Sequence, residues 1–155
     1  MINGVALFVL EDELILACSS GKTDLKHIDE LLALGVSPNC KDHEGNTPLM
    51  AASSVGNTRL VKYLIDRKAE VNSTNNHNET AIKLACGTKY KTTIHKPVIE
   101  LLLKNGANPN IVPDDGESPL IKACRDRRGN PAKVVNLLLA AGAPRSDIML
   151  LEIHR

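Results

Sequence analysis

The chain has no tryptophan, one phenylalanine and two tyrosines in 155 residues, so Phe8, Tyr63 and Tyr90 are its aromatics. A core without aromatic volume has to be assembled from Leu, Ile, Val and Ala, which suits thin layers of short helices. A dominant charge is missing too: nineteen basic against eighteen acidic residues leave a formal +1. No global field therefore draws the chain to nucleic acid or to an anionic membrane, and only local patches could. No stretch reaches the ~18 consecutive apolar residues of a membrane span. Ile15-Leu16-Ala17-Cys18 has the form of a lipoprotein cleavage box, but Glu11-Asp12-Glu13 interrupt the apolar run before it and no Lys or Arg precedes it. That argues against a secretion signal. The expectation is a soluble intracellular protein, cytoplasmic with the nucleus as the alternative.

The usual carriers of chemistry are also scarce. There is no Cys-x-x-Cys pair, so neither zinc nor thioredoxin-like chemistry is signalled. His27, His43, His77, His95 and His154 fall at no metal-ligand spacing. Neither a Gly-rich phosphate loop nor a G-x-S-x-G elbow is found. Asp114-Asp115 is a paired carboxylate, but it lies in a turn without walls to shift a pKa. The reading is of a protein that is not an enzyme and holds no cofactor or metal.

What the chain does contain is a repeat, the first feature to look for because missing it misassigns the whole fold. Leu14-Ile15-Leu16-Ala17-Cys18, Leu49-Met50-Ala51-Ala52-Ser53, Ile82-Lys83-Leu84-Ala85-Cys86 and Leu120-Ile121-Lys122-Ala123-Cys124 align, and their alanines are 35, 33 and 38 residues apart. A second apolar run follows each block, at 28–34, 60–65, 98–103 and 134–139. Each second run ends near a turn, as at Gly35-Val36-Ser37-Pro38-Asn39 and Gly106-Ala107-Asn108-Pro109-Asn110.

Local chemistry agrees with pairs of short helices. Thr47, Thr80 and Ser118 can cap a first helix with a hydroxyl, and Pro48 and Pro119 then suit the first helical position. Pro97 and Pro131 open second helices. Gly35, Gly106 and Gly142 suit left-handed helix ends. Gly45 and Gly116 fit the positive-φ position of a tight turn, with Asn78 the next-best residue there. Lys68 stands where the glycine is expected after the second run of unit two, at some cost in stability.

These residues resemble ankyrin repeats, on the 33-residue period, the Thr47-Pro48-Leu49…Ala52 block and Gly106-Ala107-Asn108-Pro109-Asn110. The resemblance runs from about Glu11 to Ala143. It implies an all-α solenoid of helix–turn–helix units with β-hairpin fingers, forming one domain over 1–155. The units are expected at about 11–41, 42–74, 75–112 and 113–146, with caps at 1–10 and 147–155. The first cap is expected to cover the open side of unit one, and Ile148-Met149-Leu150-Leu151 to form a last short helix. Extra residues in units one, three and four fall between the two helices of a unit. The resemblance also implies that Asn39, Asn72 and Asn110 bridge adjacent turns. In the family some such asparagines are hydroxylated, which marks these three as candidate acceptors.

The family's concave face, built from fingers and first helices, implies a protein partner. Residues at its variable positions are His43, Glu44, Asn46, Met50, Ser54 and Val55 in unit two. Unit three adds Asn76, His77, Glu79, Lys83 and Thr88, and unit four adds Asp114, Asp115, Glu117, Ile121 and Arg125. Met50, Val55 and Ile121 are expected to be exposed apolar anchors. The function read from this is a non-catalytic adaptor, scaffold or inhibitor, expected to be monomeric. The alternative is phosphate or nucleic-acid binding on the basic inter-helix loops 88–97 and 125–133, through Lys89, Lys91, Lys96, Arg125, Arg127 and Arg128, with Arg suited to a bidentate grip. A single aromatic there, Tyr90, is far short of a nucleic-acid platform, so nucleic acid is the weaker partner. Cys18, Cys86 and Cys124 share one repeat position and read as small core side chains that cannot cross-link between units, because packed helices lie about 8–10 Å apart while disulfides need Cα atoms within roughly 7 Å. Cys40, in a turn, is the expected exposed thiol.

Overall fold

A hydroxyl caps three of the four first helices. Thr47 Oγ1 accepts from the Met50 amide, Thr80 Oγ1 from that of Lys83, and Ser118 Oγ from that of Ile121. The computed structural model describes residues 3–87, 93–126 and 131–153. Among them the helices are α1 (Gly4–Ser19), α2 (Leu25–Ala33), α3 (Pro48–Ser54), α4 (Thr58–Asp66), α5 (Ala81–Ala85), α6 (Lys96–Lys104), α7 (Pro119–Arg125), α8 (Pro131–Ala140) and α9 (Ser146–Ile153). Each odd–even pair from α1 to α8 is one unit, and α9 packs on α7. First helices form a row, α1 on α3 on α5 on α7, and α4, α6 and α8 follow one another behind them.

The core is one continuous apolar cluster running through all the units. Leu14, Leu49, Ile82 and Leu120, which share a repeat position, are all fully buried. Ala52, Ala85 and Ala123 are at 0% exposure, where a larger side chain would hold neighbouring first helices apart. On the opposite side, Asp29 of α2 receives bonds from the Tyr63 hydroxyl and from Arg67 Nη2 at 2.8 Å, and the Arg67 guanidinium stacks 3.4 Å from the Tyr63 ring centroid.

The loops are coupled as tightly as the helices. Asn39 donates to Lys68 O (3.2 Å) and accepts from Glu70 N (2.8 Å). Asn72 repeats the pattern one unit on, donating to Gly106 O (2.9 Å) and accepting from Asn108 N (2.7 Å). Both bridge adjacent turns as expected. Asn110 instead donates its own backbone N–H to Asn108 Oδ1, a local bond of 2.9 Å.

The fingers are tight turns without strands among the described residues, so the expected β-hairpin character is absent there. The turn bond Gly45 N to Asp42 O (2.9 Å) closes one finger and Asn78 N to Asn75 O (3.0 Å) the next. Sideways bonds join them: Asn76 N to Glu44 O (2.9 Å) and Asp114 N to His77 O (3.0 Å). Gly45 has φ +78, and a Cβ there would lie 2.9 Å from the Asn76 backbone nitrogen, so both the left-handed conformation and the finger contact require glycine. Lys68 and Asn78 adopt positive φ (68 and 57) where glycine is absent.

Three expectations are corrected. The boundary expected at 10/11 is not a break, because α1 runs through it, and its N-terminal turns are not a simple cover. Leu7 and Leu10 pack on the core, while Val5, Phe8 and Val9 face solvent. Cys40 is buried, not exposed, with its Sγ 3.8 Å from Glu11 O, because α1 extends over the turn that carries it. Met50, Lys83 and Ile121 are all at 9% exposure or less, because their shared repeat position faces the neighbouring unit.

Cys18, Cys40, Cys86 and Cys124 are unpaired thiols. Burial pushes Cys18, Cys40 and Cys86 up from the ordinary 9.0 to about 12; a neighbouring thiol adds to this at Cys18 and the Glu11 carboxylate at Cys40. The half-buried Cys124 is also raised, again mainly by burial. Between those pH values the folded chain holds protons that the unfolded chain has released. Stability from these thiols is therefore intact below pH ~9 and declines as pH rises toward 12. Native protein should react slowly with a thiol reagent at about pH 8, Cys124 first, and all four thiols should react quickly in denaturant. A fast native reaction at Cys40 would contradict its burial. Ala85→Leu should overpack the α3–α5–α7 row, costing about 1–3 kcal/mol and several degrees of melting temperature; an unchanged thermal melt would contradict this register.

Candidate protein-binding cleft

A concavity of about 520 Å³ lies where α1, α3 and the first two fingers meet. Its floor is apolar, from the buried Ile15, Met50, Ala51 and Leu84, with the exposed Leu16 at its edge. Its rim is polar, from Asp12 and Ser19 on α1, Asp42, His43, Glu44 and Asn46 on the first finger, and Asn75, His77 and Glu79 on the second, with Ser54 at the end of α3. Among the described residues no Lys or Arg lines it.

Hydrogen bonds inside the fingers hold this rim in place. Asp42 Oδ1 accepts from the amides of Glu44 (2.9 Å) and Asn46 (2.8 Å), which shapes the first finger. Asn75 does the same for the second, accepting from the amides of His77 (3.0 Å) and Glu79 (2.9 Å) and donating to Asn46 Oδ1 (2.9 Å). Both carboxamides and Asp42 are thus committed to the scaffold. His43 and Glu44 remain solvent-facing, at 83% and 58% side-chain exposure.

Of the residues expected on the concave face, the cleft brings together His43, Glu44, Asn46, Met50, Ser54, His77 and Glu79. Val55, Asn76, Asp114, Asp115, Glu117, Ile121 and Arg125 lie outside it, and Thr88 lies outside the described residues. Sequence reasoning missed Asp12, Ile15, Leu16 and Ser19. The signal is available, since Leu14–Cys18 aligns with the other first helices, but the variable positions are taken from units two to four alone. On the basic loops, Lys96 pairs with Glu100 and Arg125 with Glu117. Lys89, Lys91, Arg127 and Arg128 lie outside the described residues.

Lys83 is the largest departure from expectation. It occupies the repeat position of Ile15, Met50 and Ile121 and is almost wholly buried. Its ammonium pairs with Glu79 of its own finger and lies 3.2 Å from Asp115 Oδ2 of the next. It is an internal strut between two fingers and offers no charge to a partner. Asp115 and Glu117 are likewise engaged, Glu117 with both Lys122 (3.4 Å) and Arg125.

Among the described residues no cluster of His, Cys, Asp and Glu could hold a metal ion, and no helix is long and apolar enough to cross a membrane. A row of helix pairs presenting a preformed, partly apolar cleft defines a helical-repeat scaffold. The chain belongs to the ankyrin repeat family: a family model described as ankyrin repeats (3 copies) matches residues 14–112, and one described as ankyrin repeats (many copies) matches 95–143. Ankyrin repeats are in general protein–protein interaction modules. The chain is similar to ankyrin repeat, SAM and basic leucine zipper domain-containing protein 1. The Dasypus novemcinctus protein is 36% identical over 120 residues, covering 77% of this chain and 24% of the relative. That of Oryctolagus cuniculus is 38% identical over 118 residues, covering 76% and 24%. The chain therefore spans about a quarter of the length of these relatives. Their name sets ankyrin repeats beside SAM and basic leucine zipper domains.

Removing one member of a buried ionic group leaves its partner's charge uncompensated, whereas replacing the charge with an apolar side chain removes the need for compensation. Glu79→Ala should therefore cost about 3 kcal/mol, and Lys83→Met about 1 kcal/mol or less, since Met50 already occupies the equivalent site. Urea unfolding compares them; a larger loss in Lys83→Met would contradict the strut.

Proposed function

We propose that the chain is a non-catalytic protein-binding module that works as an adaptor, scaffold or inhibitor and takes its partner in the cleft between α1, α3 and the first two fingers. The observation that carries this reading is the cleft itself: an apolar floor under a rim held rigid by its own hydrogen bonds. A preformed surface loses little conformational entropy on binding, so more of the contact energy appears as affinity. An apolar centre inside a polar rim is also the usual anatomy of a protein interface. The relatives' name joins ankyrin repeats to SAM and basic leucine zipper domains in one polypeptide, in keeping with a part of a larger protein that brings other proteins together.

A photo-crosslinking amino acid placed at His43 or His77, and separately at Asp66 or Lys104 on the second helices, tests the face. Cross-linking to a protein in extract is expected from the two finger positions and not from the helix positions. Products from Asp66 and Lys104 alone would overturn the assignment.

A further inference from the structure

The cleft has one wall unlike the others. The first helix of unit two, α3, has seven residues, whereas α1 has sixteen and runs nine residues further toward its N-terminus from the shared alanine position. That extension stands beside the first finger, where Cys40 Sγ meets Glu11 O. Val5, Val9, Asp12 and Leu16 recur along it at intervals of four, three and four, which places them on one stripe of the helix. The three apolar members are 77%, 58% and 71% exposed, with Phe8 beside them at 53%. Large apolar side chains exposed together on one face are the mark of an interaction surface. Asp12 and Leu16 also line the cleft, so stripe and cleft are one continuous surface.

Among the described residues the charge on this surface has one sign. No Lys or Arg occurs in residues 1–21, while Glu11, Asp12 and Glu13 lie together in the middle of α1. Glu13 is partly answered by His27 Nε2, 3.0 Å away. Across the cleft Glu44 faces solvent, and Asp42 and Glu79 are held by internal bonds.

We propose that α1 and the adjoining cleft form the docking site for a cationic amphipathic helix of a protein partner. The helix would lay its apolar side along Val5, Val9 and Leu16 and place Lys or Arg side chains near Asp12, Glu11 and Glu44. A straight ridge with helical spacing is complemented by the groove of another helix, and the stripe from Val5 to Leu16 spans about 16 Å, three turns of such a partner. A second copy fits badly. In an antiparallel α1–α1 pair Asp12 of each copy would sit mid-interface, near the other's acidic residues, with no cation to answer it. This inference rests on the protein-binding reading above and names the partner's chemistry.

The probe is a fluorescent peptide of about 16 residues, matched to α1, built from Leu and Lys at heptad spacing. Its controls are a scrambled peptide of the same composition and a Leu/Glu helix of the same pattern. Anisotropy titrations against the full chain should show binding to the Leu/Lys helix about tenfold or more tighter than to either control. Val9→Lys with Leu16→Lys should weaken it about tenfold while leaving circular dichroism and the thermal melt unchanged, since both side chains are exposed. Asp12→Asn should weaken it less and reduce its salt dependence. Equal binding of the scrambled peptide, or no loss in Val9→Lys/Leu16→Lys, would overturn the proposal. So would sedimentation showing a dimer that this double variant dissociates, because the face would then belong to a second copy. Finger cross-links with a protein alongside a failed peptide titration would reject this partner chemistry and leave the protein-binding reading standing. Peptide binding without finger cross-links would reject the finger face alone.

Discussion

Close approach of neighbouring first helices is the constraint on which the structure depends. No single unit of two short helices can bury both its faces, so each needs a neighbour on either side. The column Ala52, Ala85 and Ala123, fully buried, lets α3, α5 and α7 come near enough for the larger columns beside it to interdigitate. Once the helices are spaced this way, the turns and fingers attached to them come within hydrogen-bond range. The Asn39 and Asn72 bridges and the Asn76–Glu44 and Asp114–His77 finger bonds all span adjacent units. The finger row is therefore a consequence of helix packing as much as of turn chemistry.

Lys83 shows how a polar residue is accommodated within that packing. Its position is apolar in the other units, so its methylene stem packs where Ile15, Met50 and Ile121 pack. The ammonium cannot stay buried unless charge and hydrogen bonds meet it, and Glu79 and Asp115 do so from two successive fingers. The result ties unit three to unit four and pairs both carboxylates with a buried cation. At this end Glu79, Asp115 and Glu117 are all paired with cations of the chain, whereas Glu44 is 58% exposed and faces solvent, so uncompensated acidity shifts toward α1 and the first two fingers.

That shift gives the molecule a polarity along its length. At one end a long helix exposes Val5, Phe8, Val9 and Leu16 beside an open cleft; at the other, α9 packs on α7 and Ser118 shares a 2.5 Å hydrogen bond with Asp147. Membership of the ankyrin repeat family accounts for the scaffold, which many proteins share without sharing partners. Within the chain, the extended α1 and the acidic rim beside it set unit one apart from the units that follow.

Much of this was legible in the residues. The repeat period, the caps at Thr47, Thr80 and Ser118, the positive-φ turns at Gly45, Asn78 and Gly116 and the left-handed Lys68 all follow from local chemistry at fixed spacing, and the Asn39 and Asn72 bridges from the family resemblance. What only the tertiary structure decided concerns residues whose environment comes from another unit. Met50 and Ile121 read as exposed, and Lys83 as part of the binding face, because a helix face looks open until its neighbour is placed against it. Cys40 was read as an exposed turn residue because nothing local says that α1 reaches over it. The same extension turned an expected cap into a wall of the cleft. Periodicity and capping are short-range and survive in the sequence; burial and the accessible site are set by distances between segments some thirty residues apart, and those distances exist only once the units stack.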